Sequence, residues 1–241
     1  MANAPAVALV LAGGLGTRMG RPKQFLELRG RPALFYTLRA FEEAALVGRI
    51  YAVGDRPRVE ALAKRAGISK YARCAEPGPF RQLSTKRGLL LCEEDPETVV
   101  LVHDGSRPLV TPGLVDRVVE AALGEDAPDG VVPATPVSDT IKVERGGEVV
   151  KTLDRTELRA VQTPQAFRLG LLRRLHDAPD DYLGASTDDA SLVEREGGRV
   201  LLVEGEKTNI KLTSPEDLVL AEAILAAREG SLENLRAETP S

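Results

Sequence analysis

The chain has 241 residues, 43% hydrophobic and 28% charged, with a formal net charge of -4. That length can bury a substantial core, while the mild acidity argues against a broad nucleic-acid groove or a polybasic membrane surface. No apolar run approaches a membrane span, so cations that gather at one loop are expected to serve a local anion.

Cys74 and Cys92, the only cysteines, fit neither a metal-ligand spacing nor a disulfide framework and are expected to be packed thiols. The N-terminus enters a strand directly, without a charged segment and apolar stretch of the export type. The cytoplasm is therefore the expected compartment.

Val7 to Leu11 is an almost unbroken apolar run, which predicts a strand buried on both faces. It breaks into Gly13, Gly14 and Gly16, which carry no side chain to keep phosphates from backbone N–H groups. Arg18 and Lys23 follow within a few residues. Three spaced glycines equally suit a tight turn with no ligand. The spacing is not a P-loop, since no Gly-Lys-Ser/Thr closes it. It is not a dinucleotide fingerprint either, because Arg18 and Met19 stand where the third glycine belongs. What it leaves is a different phosphate loop with its own cations: Arg18 to grip two oxygens, Lys23 as a mobile charge.

Helical spacing of Leu34, Leu38 and Phe41 predicts a helix over Ala33 to Ala45, then a strand over Arg49 to Gly54. Further expectations are a helix over Val59 to Ala66, a strand over Tyr71 to Ala75, a helix over Ser84 to Glu94 and a strand over Thr98 to Val102. Pro112 to Leu123 reads as a helix with Thr111 as N-cap, and Gly130 to Pro133 as a strand. This alternation predicts an α/β fold, a doubly wound and mostly parallel sheet of Rossmann-like type. Ligands bind such sheets beyond the carboxyl ends of the strands, where LAGGLGTR and HDGSRP both fall.

The pattern changes near Ala134. Val137 to Val143 alternates, Gly146-Gly147 signals a turn, and Glu148 to Leu153 returns, which predicts a two-stranded arm over 134–157. An isolated hairpin is marginal in water, so a second subunit is expected to cover it. Helices over Leu169 to His176 and Asp188 to Glu196, a strand over Arg199 to Glu204 and a helix over Pro215 to Ala227 complete one domain, 1–228. Residues 229–241 are expected to fray.

LAGGLGTRMGRPKQFLELRGRPALFYTL resembles the start of nucleotidyltransferases acting on phosphorylated sugars or polyols. With PGPFRQLSTKRGL, VHDGSRP, VPATPVSDTIK, DRTELRAVQTPQAF, STDDASLVE and NIKLTSPEDL following in order, the chain is similar to the 2-C-methyl-D-erythritol 4-phosphate cytidylyltransferases of the non-mevalonate isoprenoid pathway. The resemblance spans almost the whole chain. It implies CTP and 2-C-methyl-D-erythritol 4-phosphate as substrates, Mg²⁺ as cofactor, a homodimer joined through the arm, and neither nucleic acid nor membrane as partner.

The resemblance also implies roles. Arg18, Lys23 and Lys211 would be the catalytic cations, and Ala12, Gly13, Gly14, Gly16, Gly78, Ser84 and Asp104 would bind nucleotide. Asp104 would also hold the metal; read alone, it suits a turn cap equally. Thr140 and Arg155 on the arm would hold the polyol phosphate of the neighbouring subunit, with Thr163 and Thr187 completing the pocket from the main domain.

Gly105 and Ser106 replace two alanines of the family's loop, small for small. The family's paired glycines and acid are replaced by Pro77-Gly78-Pro79-Phe80, and Pro79 has no N–H to offer a base. His103 and Arg107 are read as structural. Arg81 suits a salt bridge or a phosphate contact, and Asp188 and Asp189 suit metal carboxylates or helix N-terminal acids. Two other functions fit the bare residues: another sugar-phosphate nucleotidyltransferase, and a catalytically silent nucleotide-binding protein.

Overall fold

The computed structural model describes residues 6–14, 16 and 22–237, with side chains through 230. Its centre is β1 (Ala6–Ala12), parallel to β4 (Val47–Gly54) on one side and β6 (Val99–Asp104) on the other. Alternate β1 side chains point to opposite faces. Ala6, Ala8, Val10 and Ala12 enter one core with α1 (Ala33–Glu43), α2 (Arg56–Arg65) and α4 (Pro112–Leu123). Val7 and Leu9 enter the other with α3 (Arg81–Leu89), α5 (Leu169–His176) and α7 (Ala190–Arg195). A strand covered on both sides must be apolar throughout, which is why β1 lacks polar residues.

β5 (Tyr71–Ala75) extends the sheet beyond β4. Beyond β6 lies β11 (Gln165–Arg168), antiparallel to it, and then β7 (Gly130–Pro136). β10 (Arg159–Val161) also runs antiparallel along β7, so β10 and β11 are two stretches of one path interrupted at 162–164. β12 (Val200–Glu204) pairs with β7 in parallel. The interruption contains the cis Thr163–Pro164 peptide, and Thr163 Oγ1 accepts from Asp104 N at the β6 terminus.

Helix caps match their residues: Thr111 accepts from Leu114 N at 3.1 Å, and Asp55 from Arg58 N at 3.2 Å. Asp55 therefore starts α2 three residues before the expected Val59. α3 starts at Arg81 rather than Ser84 and stops at Leu89 rather than Glu94, because its buried face includes Gln82, Ser84, Thr85 and Gly88. Apolar spacing gives no signal for such a helix.

The arm is β8 (Lys142–Arg145) and β9 (Glu148–Thr152), joined through Gly146 and Gly147 at φ 59 and 86. Residues 137–141 precede it as irregular chain, not as the expected strand. A small hairpin, β2 (Glu27–Leu28) and β3 (Arg31–Pro32), and a short α6 (Asp180–Gly184) are additional. The last helix, α8 (Pro215–Ala237), continues past the expected end at Ala227. Its stem joins the body through a third core with Leu28, Leu109 and Leu212, and Arg29 pairs with Glu229 at 2.8 Å. Cys74 and Cys92 are buried free thiols, each pushed up to about 12 by burial.

Candidate functional site

β1 and β6 end side by side, and the loops that follow them are locked together by close approaches. Gly105 N donates to Leu11 O at 2.8 Å, and a Cβ at Gly105 would lie 2.9 Å from that oxygen. A Cβ at Gly13 would lie 2.3 Å from Pro77 Cβ, so the glycine loop rests directly on the Pro77–Phe80 loop. Among the described residues nothing lies within 4 Å of where a Cβ on Gly14 would stand, and Gly16 has φ 64. Gln24 is buried and its Nε2 donates to Ala12 O at 2.6 Å, which fixes the end of β1. Lys23 opens the 3₁₀ turn Lys23–Phe25 beside it. Arg18 lies outside the described residues.

The second loop is equally constrained. A Cβ on Gly78 would lie 2.6 Å from Leu83 Cβ, and Gly78 N already donates to Ser84 Oγ at 3.0 Å. Ser84 in turn donates to Phe80 O at 3.1 Å. Both residues build the loop from within.

Asp104 ends β6 almost out of solvent. Its Oδ1 accepts from Arg81 Nε at 3.2 Å, its Oδ2 from Lys211 Nζ at 2.6 Å, and its N–H donates to Thr163 Oγ1 at 3.1 Å. Burial alone would raise its pKa; Arg81, Lys211 and Arg107 more than reverse this and hold the carboxyl well below its usual range. Arg81 is the salt-bridge residue, since its Nη1 also donates to Asp189 Oδ2 at 2.6 Å. Asp189 is fully buried and its other oxygen meets His176 Nε2 at 2.9 Å. Asp188 is the helix N-terminal acid: it accepts from Ser191 N at 3.0 Å and from Gln165 Nε2 at 2.7 Å.

His103 and Arg107 hold the frame, as expected. Arg107 donates to Asn209 O at 2.8 Å and Val161 O at 3.4 Å, tying the β6 loop to two distant segments. His103 is fully buried, with Nε2 3.2 Å from Arg107 O and Nδ1 3.0 Å from Thr163 Oγ1. A carbonyl only accepts, so the proton sits on Nε2 and Thr163 donates to Nδ1. Burial pushes the ring pKa down to about 4, which keeps it neutral. Thr163 lines the site, but its hydroxyl is committed to Asp104 and His103.

A cleft of about 210 Å³ opens over this network, with Asp104, Lys211, Arg81, Thr163, Gln165 and Thr187 among its walls. A larger hollow of about 430 Å³ lies away from it, between Phe25, Pro32 and α2. Of these two hollows the smaller is the chemical one, because there Asp104, ionised at the end of β6, meets Arg81, Arg107 and Lys211. Thr140 and Arg155 are exposed on the arm side and line neither; Arg155 donates to Ser138 O at 2.9 Å.

Among the described residues, no three His, Cys, Asp or Glu side chains gather as a metal cage. A single carboxylate such as Asp104 could hold Mg²⁺ only together with substrate phosphate oxygens, and its two oxygens now accept from Arg81 and Lys211.

Sequence reasoning missed Gln24, Gln165, Asn209 and the Arg81–Asp189 link. Asn209 Nδ2 donates to Thr163 O at 2.9 Å and so supports the same wall. The glutamine of PKQ and that of TPQ were visible as motif letters. Nothing local showed that Arg81 and Asp189 meet.

A mostly parallel sheet whose glycine turn adjoins a cation-lined cleft with a buried carboxylate defines an α/β nucleotidyltransferase. The chain belongs to the 2-C-methyl-D-erythritol 4-phosphate cytidylyltransferase family: the family model so described (IspD) matches residues 6–227. It is 67% identical over 224 residues to the Rubrobacter xylanophilus protein of that name, covering 93% of this chain and 96% of that one. It is 48% identical to the Geobacillus kaustophilus protein of the same name, covering 92% of this chain and 97% of that one. The crystal structure of the Thermus thermophilus cytidylyltransferase superposes with TM-score 0.73 at 37% identity, covering 91% of this chain and 98% of that one.

Proposed function

We propose that the chain transfers a cytidylyl group from CTP to 2-C-methyl-D-erythritol 4-phosphate, releasing pyrophosphate. A phosphate oxygen of the polyol attacks the α-phosphorus in line, the new P–O bond forms, and the bond to the β-phosphate oxygen breaks. The attacking phosphate is already anionic at neutral pH, so no general base is required. The task is to bring two anions together and stabilise the charge that develops between them.

The observation that carries this reading is the Lys211–Asp104–Arg81 array at the mouth of the cleft. Lys211, Lys23 and Arg18 supply positive charge to the reacting phosphates. The Ala12–Gly16 loop would offer N–H donors to the β- and γ-phosphates, and Gly14 adds no side chain of its own there. Asp104 would hold Mg²⁺, which neutralises phosphate charge when bound. The Gly78–Ser84 loop faces the base; since Gly78 N serves Ser84 Oγ and Pro79 has none, selectivity rests on other groups of that loop.

Thr187 and the wall shaped by Thr163 close the acceptor pocket. Thr140 and Arg155 complete it from a neighbouring subunit, so the working unit is a homodimer joined through 134–157. Val149 and Val150 on the arm are 60% and 55% exposed, which favours a covering partner. No helix of the described residues is long and apolar enough to cross a membrane, and a cytoplasmic location goes with this reading. A panel of nucleoside triphosphates against polyol and sugar phosphates, scored by pyrophosphate release, tests the assignment. Turnover with a sugar 1-phosphate and not with the methylerythritol phosphate would replace it.

A further inference from the structure

We infer that Asp189 is a positioning residue for the metal carboxylate, acting through Arg81 without touching substrate. The inference rests on the reading that Asp104 holds a divalent cation. Arg81 orients Asp104 through Nε–Oδ1 at 3.2 Å, yet a guanidinium there opposes an incoming metal ion. Asp189 resolves that conflict. It sits fully out of solvent and grips Arg81 Nη1 at 2.6 Å, so Arg81 is charge-compensated from behind while it still hydrogen-bonds Asp104 in front.

The wider field agrees. Three cations, Arg81, Lys211 and Arg107, act on Asp104, and Asp189 is the second carboxylate paired with Arg81. Without it, Arg81, Lys211 and Arg107 would face Asp104 with only Asp188, which is held by Gln165 and Ser191, as a further carboxylate on the cleft wall. His176 Nε2, itself buried, anchors the far oxygen of Asp189 at 2.9 Å and fixes which oxygen meets Arg81. Asp189 lies 108 residues from Arg81 in the chain and directly precedes α7, whose Ala190 and Val193 pack into the core.

The test is Mn²⁺ binding to the full-length protein with CTP present and no acceptor, read from the electron paramagnetic resonance of free Mn²⁺. Asp104→Asn, Asp189→Asn, Asp189→Glu and the pair Arg81→Gln/Asp189→Asn are compared, each first checked for a cooperative melt. Asp189→Asn should weaken Mn²⁺ on the order of tenfold, because one uncompensated cation then bears on Asp104. Asp189→Glu should recover part of the loss. The double variant should bind better than Asp189→Asn alone, since the opposing charge has also gone. A merely structural Asp189 would lower the melting temperature of these variants without producing that order. If Asp104→Asn lowers binding while Asp189→Asn and the double variant match the wild type, the inference is overturned and the metal reading stands. If Asp104→Asn itself matches the wild type, both fall. Should Asp189→Asn fail to melt cooperatively, the double variant and Asp189→Glu decide: both keep the charge balance, so Mn²⁺ affinity in both as low as in Asp104→Asn contradicts a charge role.

Discussion

Lys211 Nζ lies 2.6 Å from Asp104 Oδ2 although 107 residues separate them in the chain. A loop before α8 and the end of β6 are thereby joined at the point where phosphates are to react. The lysine side chain keeps 44% of its surface exposed while Asp104 keeps 11%, so the cation has room to leave the carboxylate for a substrate oxygen.

Lys211→Ala should therefore separate stability from chemistry. The lysine is exposed but its partner carboxylate is not, and Arg81 and Arg107 still compensate Asp104, so the fold should lose roughly 1–3 kcal/mol. Turnover should fall on the order of 10²–10³-fold, the usual effect of removing one preorganised donor. Steady-state pyrophosphate release beside a thermal melt checks both, and a melt collapse without a selective rate loss would make Lys211 structural.

Lys23→Ala should behave similarly, folding normally and losing most turnover. The neighbouring Gln24→Ala should differ. It removes the buried clamp on Ala12 O and leaves that carbonyl without the donor, at roughly 1–3 kcal/mol. CTP affinity should fall along with the melting temperature, which calorimetry and a binding isotherm would separate.

His103 gives a pH prediction with a definite sign. Its folded pKa is lowered, to about 4 from 6.5, so between these values the unfolded chain binds a proton that the folded chain refuses. Stability is then greatest above pH 6.5 and declines as pH falls toward 4, by about 3 kcal/mol at most. Only two histidines are present, so their ring proton signals can be resolved by nuclear magnetic resonance. A His103 ring titrating near its ordinary value would contradict the buried neutral tautomer.

Much of this frame is legible from residue patterns, and particular residues show why. Tyr71–Ala75, Pro112–Leu123 and Leu169–His176 match their expected bounds because apolar spacing and caps mark them. β10 and β11 have three and four residues, too few to show an alternating pattern, and pairing with β7 and β6 makes them strands. The start of α3 was hidden by polar side chains that face inward. Family motifs pointed to Lys211, Asp104 and Thr187, which share the cleft. The Arg81–Asp189 pair is a long-range contact between two charged residues that each have ordinary local explanations. No single stretch of sequence contains it.

The arm supplies a test of assembly. If Arg155 serves the neighbouring subunit's cleft, mixing Arg155→Ala with Lys23→Ala chains gives hybrid dimers with one intact site in two. Random exchange should then restore about a quarter of wild-type activity. Strictly additive residual activities, or monomers at working concentration by light scattering, would place both residues in one chain's site.

The central claim is tested most directly by one substrate panel with the purified wild-type chain. Pyrophosphate release is measured for ATP, GTP, UTP and CTP, each with 2-C-methyl-D-erythritol 4-phosphate and with sugar 1-phosphates. The account predicts that CTP with the methylerythritol phosphate exceeds every other pair outright and yields the cytidine diphosphate-linked polyol. Equal or greater turnover with another base or acceptor, or CTP binding without any pyrophosphate, would contradict it.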